Sequence, residues 1–126
     1  MLLTRLTLDL YFNSQITLTE SQSLIGTSYR VIDANDDFIS IEHPTDIGIE
    51  YNMEIYNQWY VDFIENNHST LKHNGLDKIN IFINVFYSGQ CNFEIFESQS
   101  LSILSKYNVS LPVSYTHLTL PTIRLV

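Results

Sequence analysis

The chain reads as an α+β domain: a mainly antiparallel sheet with helices packed on one face. Three observations lead there. Leu6, Leu8, Leu10 and Phe12 alternate with Thr7, Asp9 and Tyr11 at a period of two, which marks a half-buried strand. Ile79, Ile81, Ile83 and Val85 repeat that period, with Phe82 and Phe86 interrupting the opposite face, as in a central strand covered on both sides. Between these strands Trp59, Tyr60, Phe63, Ile64 and Leu71 recur at helical spacing. There is no internal repeat and no linker-like run, so helices layered on a single sheet are the simplest way to bury all three stripes.

Element by element, the order reads β-α-β-β-β-α-β-β-α-β. After the first strand, Thr19-Glu20-Ser21-Gln22 has the capping residues of a helix start, and Gly26 can close a short helix. Tyr29 to Ile32 and Phe38 to Glu42 are β-prone runs flanking Asp33-Ala34-Asn35-Asp36-Asp37, whose side chains favour a turn, so a hairpin is expected. Alternation from Ile47 to Ile55 predicts a further strand with one wet face. Asn57 is placed to cap a helix over Gln58 to His73, ended by Asn74-Gly75. Lys78 to Tyr87 follows as the central strand, and Ser88-Gly89-Gln90 turns into a strand over Cys91 to Phe96. Ser98 can cap a last helix carrying Leu101, Ile103, Leu104 and Tyr107 and stopping at Asn108, and Val109-Ser110-Leu111 opens a final strand. Two β-α-β segments leave a ferredoxin-like core open.

Length and composition narrow the functional classes. A chain of 126 residues fits one domain, and 44% hydrophobic content with mean hydropathy near zero is that of a core former. Fourteen Asp and Glu against six Lys and Arg give a formal charge of −8. Counterion release on nucleic acid needs a basic face, whereas Arg5, Arg30, Lys72, Lys78 and Lys106 are spread singly through an acidic background, so phosphate backbones are expected to be repelled. A field of this sign favours encounter with a basic protein partner. The single Cys91 cannot form an internal disulfide, and Met1 to Phe12 lacks a signal-like apolar core, which point to the cytosol. No stretch reaches the ~18 apolar residues of a membrane span.

Residues that could carry chemistry do not assemble into a recognisable pattern, and no catalytic, cofactor-binding or metal-ligating residue is assigned. His68 and His73 are five apart, which places them off a common helical face, unlike the four-residue spacing of helical zinc sites. Asp62, Glu65 and His68 line one stripe, as a surface helix shows anyway. Asp33 to Asp37 resembles the opening of a calcium loop, but Phe38 stands where glycine is needed and Pro44 where a bidentate glutamate is needed. Cys91 has apolar neighbours and no flanking base, the setting of a small buried hydrophobe. No phosphate-cradling glycine loop or nucleophile elbow is present. Trp59 and the eight tyrosines could furnish an interface, although core is their commoner use.

Two resemblances add to this reading. Gln90 to Leu111, QCNFEIFESQSLSILSKYNVSL, together with LTRLTLDLYF at the start and the aromatic helix after Trp59, resembles a bacterial domain family of unknown function. That resemblance implies a small, acidic, immunity-like protein and brings no catalytic residues with it. At the other end, Val-Ser-Tyr-Thr-His-Leu-Thr-Leu-Pro-Thr from Val113 resembles one reading frame of the transposase mosaic end and attached primer of tagmentation libraries. It implies that residues 113–126 are translated adapter, that the domain is 1–112, and that its last strand is cut short at Leu111 or Pro112. His117 then carries no functional information, though Val113, Tyr115 and Leu118 to Leu120 are adequate β-formers for an open strand slot.

The expectation is therefore a non-catalytic protein-binding module, with a small enzyme or ligand-binding domain as the alternative. A pocket gathering Asp or Glu with His43 or His68 would favour that alternative.

Overall fold

The computed structural model describes residues 2–13, 23, 29–35, 37–44, 53–91 and 95–118; of residues 2, 3 and 53–56 only the backbone is described. Within these residues lie five strands and two helices: β1 (Leu2–Phe12), β2 (Arg30–Asn35), β3 (Phe38–Glu42), α1 (Met53–His73), β4 (Leu76–Tyr87), α2 (Ser98–Lys106) and β5 (Val113–His117). The strands form one sheet in the order β2-β3-β1-β4-β5. All neighbours are antiparallel except β4 and β5, which run parallel. The fold class is α+β, as the hydrophobic periods predict.

β1 and β4 are the two longest strands, and they pair along almost their whole length, from Leu2↔Tyr87 to Phe12↔Leu76. The register puts Leu6, Leu8 and Leu10 of β1, Ile39 and Ile41 of β3, and Ile79, Ile81, Ile83 and Val85 of β4 on the same face. All nine are buried, in one contiguous core with Tyr60, Val61, Ile64 and Leu71 of α1 and Leu104 of α2. Both helices thus cover this face. Each such aliphatic side chain contributes about 1.5–3 kcal/mol on burial. The phenol of Tyr60 ties helix to sheet, donating to the Leu6 carbonyl at 2.8 Å and accepting from the His43 amide at 3.3 Å.

Both helix ends close as the residue types dictate. Gly75, at φ 99°, follows α1 and donates to the Lys72 carbonyl. At the end of α2, Asn108 takes the left-handed conformation at φ 56°; its amide reaches the Ser105 carbonyl and that of Val109 the Leu104 carbonyl, a Schellman cap. The far end of β1 is fastened twice, by Phe12 N–H to the Asp37 carbonyl and Asn13 N–H to the Gly75 carbonyl.

Five local expectations need correction. The strand expected over Ile47 to Ile55 falls on residues 47–52, which lie outside the described ones, and on Met53 to Ile55, which are helical. Apolar residues two apart fit a strand as easily as part of a helical stripe, and here the helix prevails. Asn57 consequently sits inside α1 instead of capping it, and its side-chain amide donates to the Ile95 carbonyl. Cys91, Ile95 and Phe96 are not in a strand, and residues 92–94 lie outside the described ones; Gly89 has the expected positive φ of 78°. α2 begins at Ser98 with Glu97 in the N-cap position and no side-chain cap, so Ser98 is not the cap. The β2–β3 hairpin is present, but β2 continues through Asp33 to Asn35, so most of the expected turn is strand. The helix expected over 19–26 lies outside the described residues except for Ser23, which is helical.

β5 is made of Val113 to His117, and the chain reaches it already in register. Ser110 bridges Asn80, and Val113 pairs with Ile83, the same offset on both sides of Pro112. Ser110 exchanges bonds with Ile79 and Ile81, and the Pro112 carbonyl accepts from Ile83. Pro112 has no N–H, so the ladder skips one donor there and resumes beyond it. An edge position tolerates that gap.

Candidate functional site

Two groups of polar side chains are assembled by the fold, one on each side of the sheet. On the face opposite the helices, Arg5 and Thr7 of β1, Glu42 of β3 and Arg30 of β2 become neighbours through the register, because Arg30 pairs with Glu42 and Thr7 stands across from it. Glu42 is fully buried at 0% exposure and accepts from Arg5 Nε at 3.1 Å and Arg5 NH2 at 3.4 Å. Arg30 pairs with the same carboxylate at Oε1, which it shares with Arg5. The two arginine side chains remain about a third exposed, at 34% and 39%. One strand step along, Ser40 donates to Asp9 Oδ1 at 2.6 Å.

Burial dominates the electrostatics of this face. Desolvation raises the Asp9 carboxyl above its ordinary 3.8, outweighing the hydrogen bonds from Ser40 and Thr7, and nearby Asp33 pushes the same way. Tyr11 is raised as well, first by burial and then by the Asp9 charge. A buried carboxyl beside a serine has the parts of an acid–base pair, but both residues are under a tenth exposed and no histidine orients them. The pair is closed off from solvent and links β1 to β3.

β2 forms one edge of the sheet. A register shift between Val31 and Asp33 leaves Ile32 as a bulged residue, and its side chain is 40% exposed. Residues 32–35 are all exposed, with Asp33 and, beyond the turn, Asp37 beside them. Asp33 Oδ1 accepts from the Ala34 amide at 2.9 Å and so belongs to a local turn-like contact, not to a calcium loop.

On the helical side, the last turn of α1, the start of β4 and the end of α2 enclose a cleft of about 180 Å³. It is lined by His68, Lys72, Asp77, Lys106, Tyr107 and Asn108 over the buried Leu76 and Ile79. His68 and Tyr107 rings lie 4.6 Å apart, and Lys106 Nζ is 5.4 Å from the Tyr107 ring centre. Burial lowers the His68 pKa below 6.5, and Lys72 adds to the effect, so its imidazole is neutral at neutral pH.

The other candidates are placed apart. His43 packs against Trp59 at 5.4 Å, and Trp59 in turn against Tyr60 and Phe63, half-buried on the core. His73 is exposed in the last turn of α1, and His117 stacks on Tyr87 at 5.1 Å. Cys91 is a free thiol, half-buried against the core. Among the described residues no three His, Cys, Asp or Glu side chains are grouped to hold a metal ion. No described helix is long and apolar enough to cross a membrane.

Sequence reasoning missed both groups. The basic residues that are single in sequence are gathered in space: two arginines on one glutamate, and Lys72 with Lys106 at one cleft. The only signal available was alternation, which puts Glu42 on the same strand face as Phe38 and Ser40 but says nothing of what stands across from it. No protein-family model matches the chain, and no curated protein or solved structure is significantly similar to it.

Proposed function

We propose that this chain is a non-catalytic, cytosolic protein-binding module that takes a basic partner along the β2 edge and has no affinity for nucleic acid. The observation that supports this is the composition of that edge: a bulged, exposed Ile32 between backbone groups at the end of the sheet, with Asp33 and Asp37 beside it. An edge strand can add an extended segment of another protein through main-chain bonds, with alternate side chains giving specificity. Acidic residues on the edge repel a second copy of a −8 chain and admit a cationic one. Elsewhere on the sheet Glu42 is held by Arg5 and Arg30 and Asp9 by Ser40, whereas Asp33 and Asp37 at the edge are exposed to solvent. An immunity-like role, occupying a basic partner, is the biological form of this reading that the resemblance of residues 90–111 suggests. In the same reading, residues 113–126 have no functional role.

The test is capture on the immobilised chain at low salt, with cross-links mapped by mass spectrometry. A basic protein cross-linked to residues 30–37 and lost on D33K/D37K charge reversal is the expected outcome. Recovery of no partner at low salt, or of one indifferent to the reversal, overturns the reading.

A further inference from the structure

We propose that the cleft between the ends of α1 and α2 binds a small organic or inorganic oxyanion, a carboxylate or a phosphate, held between Lys72 and Lys106. This site is independent of the β2 edge and lies on the opposite side of the sheet.

Three features carry the assignment. The first is concentration of charge. The chain has three lysines in all, and two of them, contributed by different helices, border one cleft in a protein of net charge −8. Asp77 is the single acid among the lining residues. The third lysine, Lys78, contributes to the wall through β4, but its ammonium lies 5.9 Å over the Tyr11 ring on the other face of the sheet.

The second is that neither lysine is tied to a carboxylate among the described residues, although Lys106 also lies over the Tyr107 ring in the cleft wall. Both are exposed. Lysine in the last turn of a helix commonly serves the terminal carbonyls. Here backbone amides already reach several of those carbonyls: Leu71 and Lys72 accept from Asn74 and Gly75, and Leu104 and Ser105 accept from Val109 and Asn108. Those carbonyls therefore do not need the ammonium groups as donors.

The third is shape and surroundings. A cleft of about 180 Å³ holds the liquid volume of about six waters, taking about 30 Å³ for each. That suits phosphate or a small dicarboxylate and excludes a nucleotide. Its floor is the buried Leu76 and Ile79, so an anion there faces low-dielectric material on one side, which strengthens its attraction to the two cations. Neutral His68 and the Asn108 amide add uncharged hydrogen-bonding groups at the rim.

The experiment is a titration of the full chain followed by NMR, with inorganic phosphate in one arm, succinate in the other, and chloride at matched ionic strength as control. Saturable shifts confined to His68, Lys72 and residues 106–108 are expected, with a dissociation constant of about 1 mM or tighter in at least one arm. The arm that saturates tells phosphate from carboxylate. K72Q/K106Q is expected to weaken binding at least about tenfold; if it fails to fold, K106Q alone gives the same comparison, with Lys106→Arg as the charge-preserving rescue. Absence of saturation in both arms, equal shifts with chloride, or binding unchanged in the lysine variants would overturn the assignment.

Discussion

Replacing Glu42 with glutamine tests whether the charged group opposite the helices stabilises the sheet. Glutamine keeps the size of the side chain and one acceptor oxygen but leaves Arg5 and Arg30 facing each other without a counter-charge. Removing one partner of a fully buried ion pair typically destabilises by about 3–5 kcal/mol, whereas exposed pairs contribute about 0–1 kcal/mol. Glu42 is at the buried limit, but the arginine side chains are 34% and 39% exposed and can rehydrate, which discounts the loss to an intermediate value. The expected destabilisation is about 2 kcal/mol, or about 6–10 °C in Tm for a domain of this size. Urea unfolding followed by circular dichroism measures it, with an unchanged denaturant slope showing that the folded state is the same. The triple change E42L/R5M/R30M should return to near the parent stability, because a well-packed apolar set replaces the whole group. If E42Q unfolds within about 0.5 kcal/mol of the parent, the range ordinary for surface substitutions, the group is not a stabilising one and the reasoning fails.

Three further outcomes follow from the same geometry. Because burial raises Asp9 above 3.8, the folded state holds its proton more tightly than the unfolded chain; stability falls as pH rises from 3.8 through the raised value, and the penalty is fully present at neutral pH. Asp9→Asn should therefore be more stable than the parent at neutral pH, with the difference vanishing below 3.8; lower stability at neutral pH would show that the Ser40 hydrogen bond outweighs desolvation. Tyr60→Phe removes a buried hydroxyl that joins the Leu6 carbonyl to the His43 amide, and should lower stability by about 1–3 kcal/mol in the same unfolding assay. Ending the chain at Pro112 should leave the rest of the sheet folded within about 2 kcal/mol of the full chain. The ladder bonds of β5, worth about 0.5–1.5 kcal/mol each, are offset by about 1–2 kcal/mol of backbone entropy per ordered residue. Its side chains add little, Val113 being 41% and Tyr115 57% exposed. Amide spectra of β4 in the shortened chain decide this, and loss of the β1–β4 ladder would make β5 a required part of the fold.

The parts of the fold legible in the sequence are those with a long, unbroken period. β1 repeats at two from Leu6 to Phe12 and β4 from Ile79 to Val85, and the aromatic stripe of α1 repeats at helical spacing over several turns, so neighbouring positions reinforce one another. Gly75 and Asn108 were readable for a different reason: few residues tolerate a positive φ, and these two stand where periods end. Misreadings fell on short segments. Met53 to Ile55 fits either period, and in the β-prone run from Cys91 the described Ile95 and Phe96 lie outside any strand, Ile95 taking a hydrogen bond from Asn57 across 38 positions of chain.

Of the two polar groups and the exposed edge, almost nothing was readable, and the reason is physical. Alternation assigns a residue to a face of its own strand, so the sequence by itself determined that Asp9, Ser40 and Glu42 share a polar side and that the leucines and isoleucines share the core. Which of them meet depends on register and strand order, quantities set by pairing between segments far apart in the chain. Only the tertiary structure decided that Arg5 and Arg30 converge on Glu42, that a bulge turns Ile32 outward at the β2 edge, and that Lys72 and Lys106 face one cleft. Charge separated by tens of residues carries no local signature of its partner, because the interaction exists only once backbone hydrogen bonding has brought the strands and helix ends side by side.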